Sequence, residues 1–378
     1  MEQASRVGVA LAGLGTARPG LEVPGAELSN EALAALMRRA CAAAAELGEL
    51  VGPPSSAEFP SQRVGIECRR VLDASCSVRD LAVAAARAAV AHAGVDAADI
   101  AAVVVSTVTW DAVVPSVASS VHAALNLSPQ TAAFDVGLGC NGFLAALDVA
   151  ANALRAGRGR AVVVVGADAM SRVLDATERT TCTIFGDGAG AVVLQCTNGS
   201  DALSPIRSFT LSAFGPRIRI APAGARPLRR FVARGGRVEV AEDTASRLRV
   251  EMDGRRVYRE MVRLLPEVMT GFLHDHGLDL ADVDRIAFHQ ANGKMLAAVA
   301  RSLGVPDGAA TVLSNIARLG NTTSASIPLL LEDAAASGAL CPGHRVLLVG
   351  FGTGYSIGLA LLDWPEFARP VHGANSDG

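Results

Sequence analysis

The sequence predicts an α/β protein made by one internal duplication, with two similar halves (residues 1–200 and 201–378) packed about a pseudo-twofold axis. Two observations carry this prediction. "GVDAADIAAVVVSTVT" at 94–109 and "GLDLADVDRIAFHQAN" at 277–292 share Gly, Asp, Ala-Asp and an apolar strand in register, 183 residues apart (277 against 94). Short valine-rich runs also alternate with longer alanine-rich stretches of helical period. A single repeat of this length is not a solenoid, which stacks several shorter units.

Taken in order, "MEQASRVGVALAGLGTARPG" reads as a first strand and turn, since its apolar run is short and follows an acidic residue. The stretch 45–63 is rich in Pro and Ser and has no counterpart in the other half, so it is expected to be a loop or insertion. "SVRDLAVAAARAAVAHAG" then gives a helix, matched in the second half by "YREMVRLLPEVMTGFLHDHG". "CNGFLAALDVAANALRAGRGRAVVVVGAD" reads as helix, polar turn and strand, and "NTTSASIPLLLEDAAASGALCPGHRVLLVGFGTG" reads the same way. "AVVVV" and "RVLLVG" lack alternation, as strands covered on both faces do. "CTNGSDALSPIRS" supplies the turn between halves. Residues 213–245 are a second expected insertion, and the tail after 365 is expected to fray.

Composition removes several function classes. The net charge of −3 and the 4% aromatic content give neither the basic footprint nor the stacking surface of a nucleic-acid binder. The longest apolar run, near 101–125, is broken by Asp111, Pro115 and His122, short of the roughly 18 residues of a membrane span. Seven scattered cysteines without a CxxC pair fit reduced thiols in a cytoplasmic, soluble protein, with no disulfide framework or metal site.

Cys140, between Gly139 and Asn141, ends the strand-like "TAAFDVGL" and opens a helix. His289 ends the matching strand of the second half, and Asn321 stands at the second-half counterpart of the Cys140 turn. Strand-to-helix junctions are where α/β proteins place reactive groups. The helix N-terminus is expected to lower the Cys140 pKa from about 8.5 by one or two units. Each residue alone reads more readily as structure than as function, and the other six cysteines are expected to be inert small hydrophobes. Matched positions in a duplicated fold favour function for the three together. "GDGAGAVVL" at 186–194 resembles a phosphate loop but lacks the Lys-Ser/Thr that would follow, so tight packing is expected. His92, His122, His274, His276 and His344 carry no motif and are expected at the surface or as caps.

"DVGLGCNGF", "IFGDGAGAVVL", "HQAN", "GNTTSASIPL" and "GFGTGYSIG", in this order, resemble the β-ketoacyl-acyl carrier protein synthase III group (ketosynthase III) of the thiolase superfamily. The match runs from about residue 6 to 363. The resemblance implies a thiolase-like, duplicated, five-layered αβαβα fold and a homodimer. It implies an acyltransferase in which Cys140 takes an acyl group from a thioester. His289 and Asn321 then stabilise the enolate formed when a malonyl thioester loses carbon dioxide, a decarboxylative Claisen condensation of fatty-acid or polyketide synthesis. Neutral imidazole and carboxamide both donate hydrogen bonds to a developing oxyanion, each worth about 3 kcal/mol. A second oxyanion site is implied at the Cys140 N–H with Thr353 and Gly354, and Phe351 is implied beside the decarboxylating group. The substrates are thioesters of coenzyme A or acyl carrier protein, with no resident cofactor and no metal.

Several positions depart from the family pattern. Gly-Cys-Asn-Gly replaces Ala-Cys-Ala/Ser-Gly, and the tryptophan that stacks on adenine has no equivalent in 45–63, although Arg179 matches the arginine on adenine's other side. Arg255, Arg256, Arg259 and Lys294 resemble the coenzyme- and carrier-docking patch, whose alternative reading is a solvated helix face. "VVPSVASSVHAALNL" looks like the branch that joins two acyl chains without decarboxylation, yet Val114 stands where that branch has its glutamate base. Val114 is therefore expected to line the acyl pocket. The readings left open are acyl transfer to an oxygen or nitrogen nucleophile, head-to-head joining of two acyl chains, a non-catalytic partner subunit, and a papain-like cysteine hydrolase.

Overall fold

The computed structural model describes residues 7–199, 201–211, 217–222, 228–243, 248–309 and 311–367. Two large sheets repeat one plan. The first runs Gly8–Ala17, Asp187–Thr197, Ala161–Ala169, Ile100–Ser106 and Ala132–Val136. The second runs Leu203–Thr210, Ser356–Asp363, Arg345–Phe351 and Arg285–Phe288. A parallel bridge from Ile286 to Val312 lies where the first sheet has its fifth strand. In both orders the first two pairings are antiparallel and those that follow are parallel.

Three helical layers enclose these sheets, giving the five-layered αβαβα thiolase fold. Helices Val78–Ala93 and Val117–Ala124 cover the outer face of the first sheet, against Val103, Val163 and Val165. Gly142–Arg155 and Ser326–Ala336 lie between the sheets, touching Val162 and Val164 on one side and Val346 and Leu348 on the other. Gly254–His274 and Gly293–Ser302 cover the far face of the second sheet. The valine run is thus buried on both faces, as its lack of alternation requires. Local signals set the helix ends: Ser77 and Asp80 form a capping box, and Gly94 closes that helix at φ +64°.

The glycines of "GDGAGAVVL" serve packing. A Cβ at Gly186 would fall 2.4 Å from the Leu319 carbonyl oxygen, and one at Gly190 would fall 2.8 Å from Pro328. The expected insertions are more ordered than loops. Glu58–Val64 is a helix, Ile218–Pro222 pairs with Leu248–Met252, and Leu228–Arg234 pairs with Arg237–Asp243 as a hairpin. That hairpin turns at Gly235 and Gly236, both at positive φ, a two-glycine signal between apolar-polar alternations. Buried Arg229 makes two 3.0 Å bonds to Glu49, so the two insertions brace each other. His92 is also not at the surface: it is buried, and its Nδ1 accepts the Leu14 N–H at 3.0 Å. Of the six other cysteines, Cys41 and Cys182 are buried, while Cys341 is exposed. Most of the tail lies outside the described residues. No helix among the described residues is long and apolar enough to cross a membrane.

Candidate active site

Residues from both halves converge on one cavity of about 1670 Å³. Cys140 sits in a 3-10 turn, Gly139–Asn141, which leads into the central helix Gly142–Arg155. Gly139 takes φ +58°, and a side chain there would strike Thr353. His289 follows the strand Arg285–Phe288. Asn321 precedes the other central helix, Ser326–Ala336, so the duplication does set it opposite the cysteine turn. Cys140, His289, Asn321, Phe351, Thr353 and Gly354 all line the cavity.

The hydrogen bonds define what each group offers. Ser326 Oγ lies 2.6 Å from His289 Nδ1 and accepts the Gln290 N–H at 3.4 Å. A Ser326 hydroxyl that donates to Nδ1 puts the ring proton on Nε2, the tautomer able to donate into the cavity. Asn321 Oδ1 accepts the Thr323 N–H at 2.9 Å, leaving its Nδ2 hydrogens for the cavity. Asn321 does not orient His289 in this network; Ser326 does, so the papain-like order is not built here. Phe351 meets the imidazole edge-on at 5.4 Å between centroids. The Gly352 backbone presses on the nucleophile: a Cβ there would lie 2.6 Å from Cys140 Cβ.

The thiol contradicts the expected pKa. Burial pushes Cys140 up to about 12, the buried Asp168 carboxylate adds to the rise, and a backbone hydrogen bond at Cys140 opposes it only in part. Desolvation outweighs the helix terminus because the thiol is buried. Burial likewise lowers His289 to about 3, so both groups are neutral at physiological pH. The thiolate fraction then keeps rising with pH across the workable range. Alkylation of Cys140 by iodoacetamide, followed by peptide mapping, is expected to accelerate about tenfold per pH unit between roughly 7 and 10. A plateau at or below about pH 8.5 contradicts this.

Asp168 was not singled out from sequence. It ends the valine strand and accepts hydrogen bonds from Thr109 Oγ1 at 2.9 Å, Val108 N–H at 2.8 Å, Ser324 Oγ at 2.6 Å and Thr323 Oγ1. It thereby pins the Asn321–Ser324 turn of one half to strand ends of the other. An acid closing an otherwise apolar strand was the available signal. Phe59 was also missed. It lies on the Glu58–Val64 helix, its ring centroid 4.7 Å from the Arg179 guanidinium carbon, at the cavity wall.

The remaining expectations divide. Arg255, Arg259 and Lys294 are exposed and line the cavity, as does Arg179. Arg256 is not a lining residue; its Nε donates to Glu260 one helical turn on, at 2.8 Å. Val114 does not line the cavity of its own chain. It is 79% exposed beside exposed Val113, on a segment whose Trp110 does line the cavity. The apolar walls come instead from Ile218, Ile220, Leu248, Val250, Met170 and Phe185. Among the described residues no group of three or more His, Cys, Asp or Glu is placed to hold a metal.

A duplicated thiolase fold with a buried cysteine at one central helix start, and two neutral donors across the cavity, defines a condensing acyltransferase. Residues 134–215 match 3-oxoacyl-[acyl-carrier-protein (ACP)] synthase III, and residues 273–364 match its C-terminal region. The chain is 40% identical over 303 residues to β-ketoacyl-[acyl-carrier-protein] synthase III of Rhodospirillum rubrum, covering 80% of this chain and 89% of that one. It is 36% identical over 359 residues to the Synechococcus elongatus protein of the same name, covering 95% and 97%. Among solved structures, 3-oxoacyl-(acyl carrier protein) synthase III from Pseudomonas aeruginosa PAO1 superposes with TM-score 0.78 at 31% identity, covering 96% of this chain and 100% of that one. The priming β-ketosynthase of the R1128 polyketide pathway gives TM-score 0.78 at 30% identity, covering 97% and 99%. The chain belongs to the β-ketoacyl-acyl carrier protein synthase III family. It is a condensing enzyme of the kind used in fatty-acid or polyketide synthesis.

Proposed function

We propose that Cys140 carries the acyl group and that His289 and Asn321 serve the malonyl half-reaction. In the first stage the thiol attacks an acyl thioester, and the proton it loses ends on the departing carrier thiolate. In the second, a malonyl thioester loses carbon dioxide. Its enolate attacks the acyl-cysteine carbonyl, and Cys140 leaves and is reprotonated. The observation that supports this most is the convergence of a nucleophile from one half with two oxygen-directed donors from the other. Phe351 gives the malonyl carboxylate an apolar neighbour, which favours its loss as neutral carbon dioxide. The backbone N–H of Cys140 with those of Thr353 and Gly354 would receive the acyl oxygen.

The donor is a coenzyme A or carrier-protein thioester. Phe59 supplies the aromatic face for which 45–63 holds no tryptophan, and adenine would stack on it once the Arg179 guanidinium, 4.7 Å from the ring centroid, swings aside. Phe59→Ala is expected to raise KM for an acyl-coenzyme A about tenfold while leaving a carrier-protein thioester within about twofold, measured by steady-state kinetics. Arg255, Arg259 and Lys294 form a cationic rim suited to phosphates and to an acidic carrier. The cavity's size and its apolar walls suit a long or branched acyl group.

A second copy completes the enzyme in this reading. Ala132–Val136 is an edge strand with exposed Phe134, and Trp110, Val113 and Val114 add an apolar surface. Cysteines kept as thiols, outside any disulfide, suit a cytoplasmic setting. The test is to supply acyl and malonyl thioesters together and count carbon dioxide against β-ketoacyl product. Equal amounts support the reading. Product without carbon dioxide would instead support head-to-head joining.

A further inference from the structure

The turn that presses on Cys140 is fastened to the outer helix Gly254–His274. Tyr355 follows Gly354 in "GFGTGYSIG" and adopts φ +53°, a left-handed conformation that residues with side chains rarely take. It is 2% exposed, and its phenol donates to the Glu260 carboxylate. The other Glu260 oxygen accepts from Arg256 Nε at 2.8 Å. Glu260 is largely enclosed, while Arg256 is half exposed on the same helix that presents Arg255 and Arg259 to the cavity mouth. The turn bonds within itself through Gly352 N–H to Ser356 O at 3.0 Å, Tyr355 N–H to Gly352 O at 2.9 Å and Ser356 Oγ to Thr353 O at 3.0 Å, and outward through Leu211 N–H to Tyr355 O at 3.0 Å and Thr353 Oγ1 to Leu138 O at 3.4 Å. None of these links it to the outer helix; the phenol–carboxylate bond does.

We propose that Tyr355 and Glu260 are positioning residues for acyl transfer. Their bond holds the Gly352–Gly354 turn against Cys140, so that its backbone N–H groups stand where the thioester oxygen becomes an oxyanion, and Arg256 keeps the Glu260 carboxylate in place. This rests on the condensing reading above. Burial and the facing carboxylate both push the Tyr355 phenol's pKa up, so it remains a donor throughout the working range. Arg256 thereby acts on the cavity through Glu260, although it does not line it.

Tyr355→Phe keeps the ring and removes the bond. The experiment compares two reactions of Cys140 in wild type and variant: single-turnover acylation by an acyl-coenzyme A, read by intact mass, and alkylation by iodoacetamide, read by peptide mapping. Alkylation forms no oxyanion. Acylation is expected to fall about tenfold and alkylation to stay within about twofold. Glu260→Ala should match Tyr355→Phe, Glu260→Gln should recover most of the rate, and the Tyr355→Phe/Glu260→Ala pair should be no worse than either alone. If Tyr355→Phe does not fold, the Glu260 variants carry the test. Unchanged acylation, or equal loss of acylation and alkylation, overturns the proposal. A wild type that takes no acyl group from any thioester overturns the condensing reading and this one with it. A wild type that loads normally beside an equally active Tyr355→Phe overturns the latch alone.

Discussion

Replacing Cys140 with alanine is expected to reduce condensation by roughly 10⁴-fold or more, because Cys140 is the only thiol lining the cavity among the described residues. The same variant should still release carbon dioxide from a malonyl thioester, since His289, Asn321 and their supports are untouched. Intact mass spectrometry checks the first outcome and carbon dioxide capture the second. Serine at 140 should not restore condensation. Burial already holds the thiol neutral, and an alcohol in the same enclosure is harder still to deprotonate.

Asn321→Asp should have the second-largest effect. Asp Oδ1 can still accept the Thr323 N–H, so the turn is kept and charge is the main change. A carboxylate facing a forming enolate replaces stabilisation with repulsion, and malonyl decarboxylation is expected to fall by about 10³-fold. His289→Ala, which removes the Nε2–H donor, should cost about 10²- to 10³-fold. Acyl loading of Cys140 should stay within about tenfold in both, because that stage uses the backbone oxyanion site. Single-turnover loading and carbon dioxide release, measured on the same preparations, separate the two stages. Equal losses in both would mean that His289 and Asn321 serve acylation as well.

Much of this was legible in the sequence because duplication exposes correspondence. The valine strands, the helix pairs and the Cys140 and Asn321 turns lie where register placed them, whereas His289 follows Arg285–Phe288, the counterpart of Ile100–Ser106 and not of the strand before Cys140. What was hidden depended on contacts far apart in the chain. Asp168 reads as an ordinary strand end until Thr323 and Ser324 fold onto it from 155 and 156 residues away. Phe59 lies in a stretch without a duplicate, so nothing marked it as the face for Arg179. Tyr355 and Glu260 are 95 residues apart and meet only because the second sheet's loop reaches the outer helix. Composition gave no measure of desolvation, which decides the Cys140 thiol more than the helix start does. Val114, read as a pocket wall, is exposed and does not line the cavity of its own chain.

The most direct test of the central claim is an acyl chase. Wild-type enzyme is incubated with an acyl thioester, freed of excess donor and measured by intact mass, with the adduct mapped by peptide analysis. A malonyl thioester is then added. The account predicts a single acyl adduct on Cys140 that disappears on malonyl addition, with one carbon dioxide released for each acyl group lost. An adduct on Cys140 that persists in malonyl thioester, or an acyl group mapped to another residue, would contradict it.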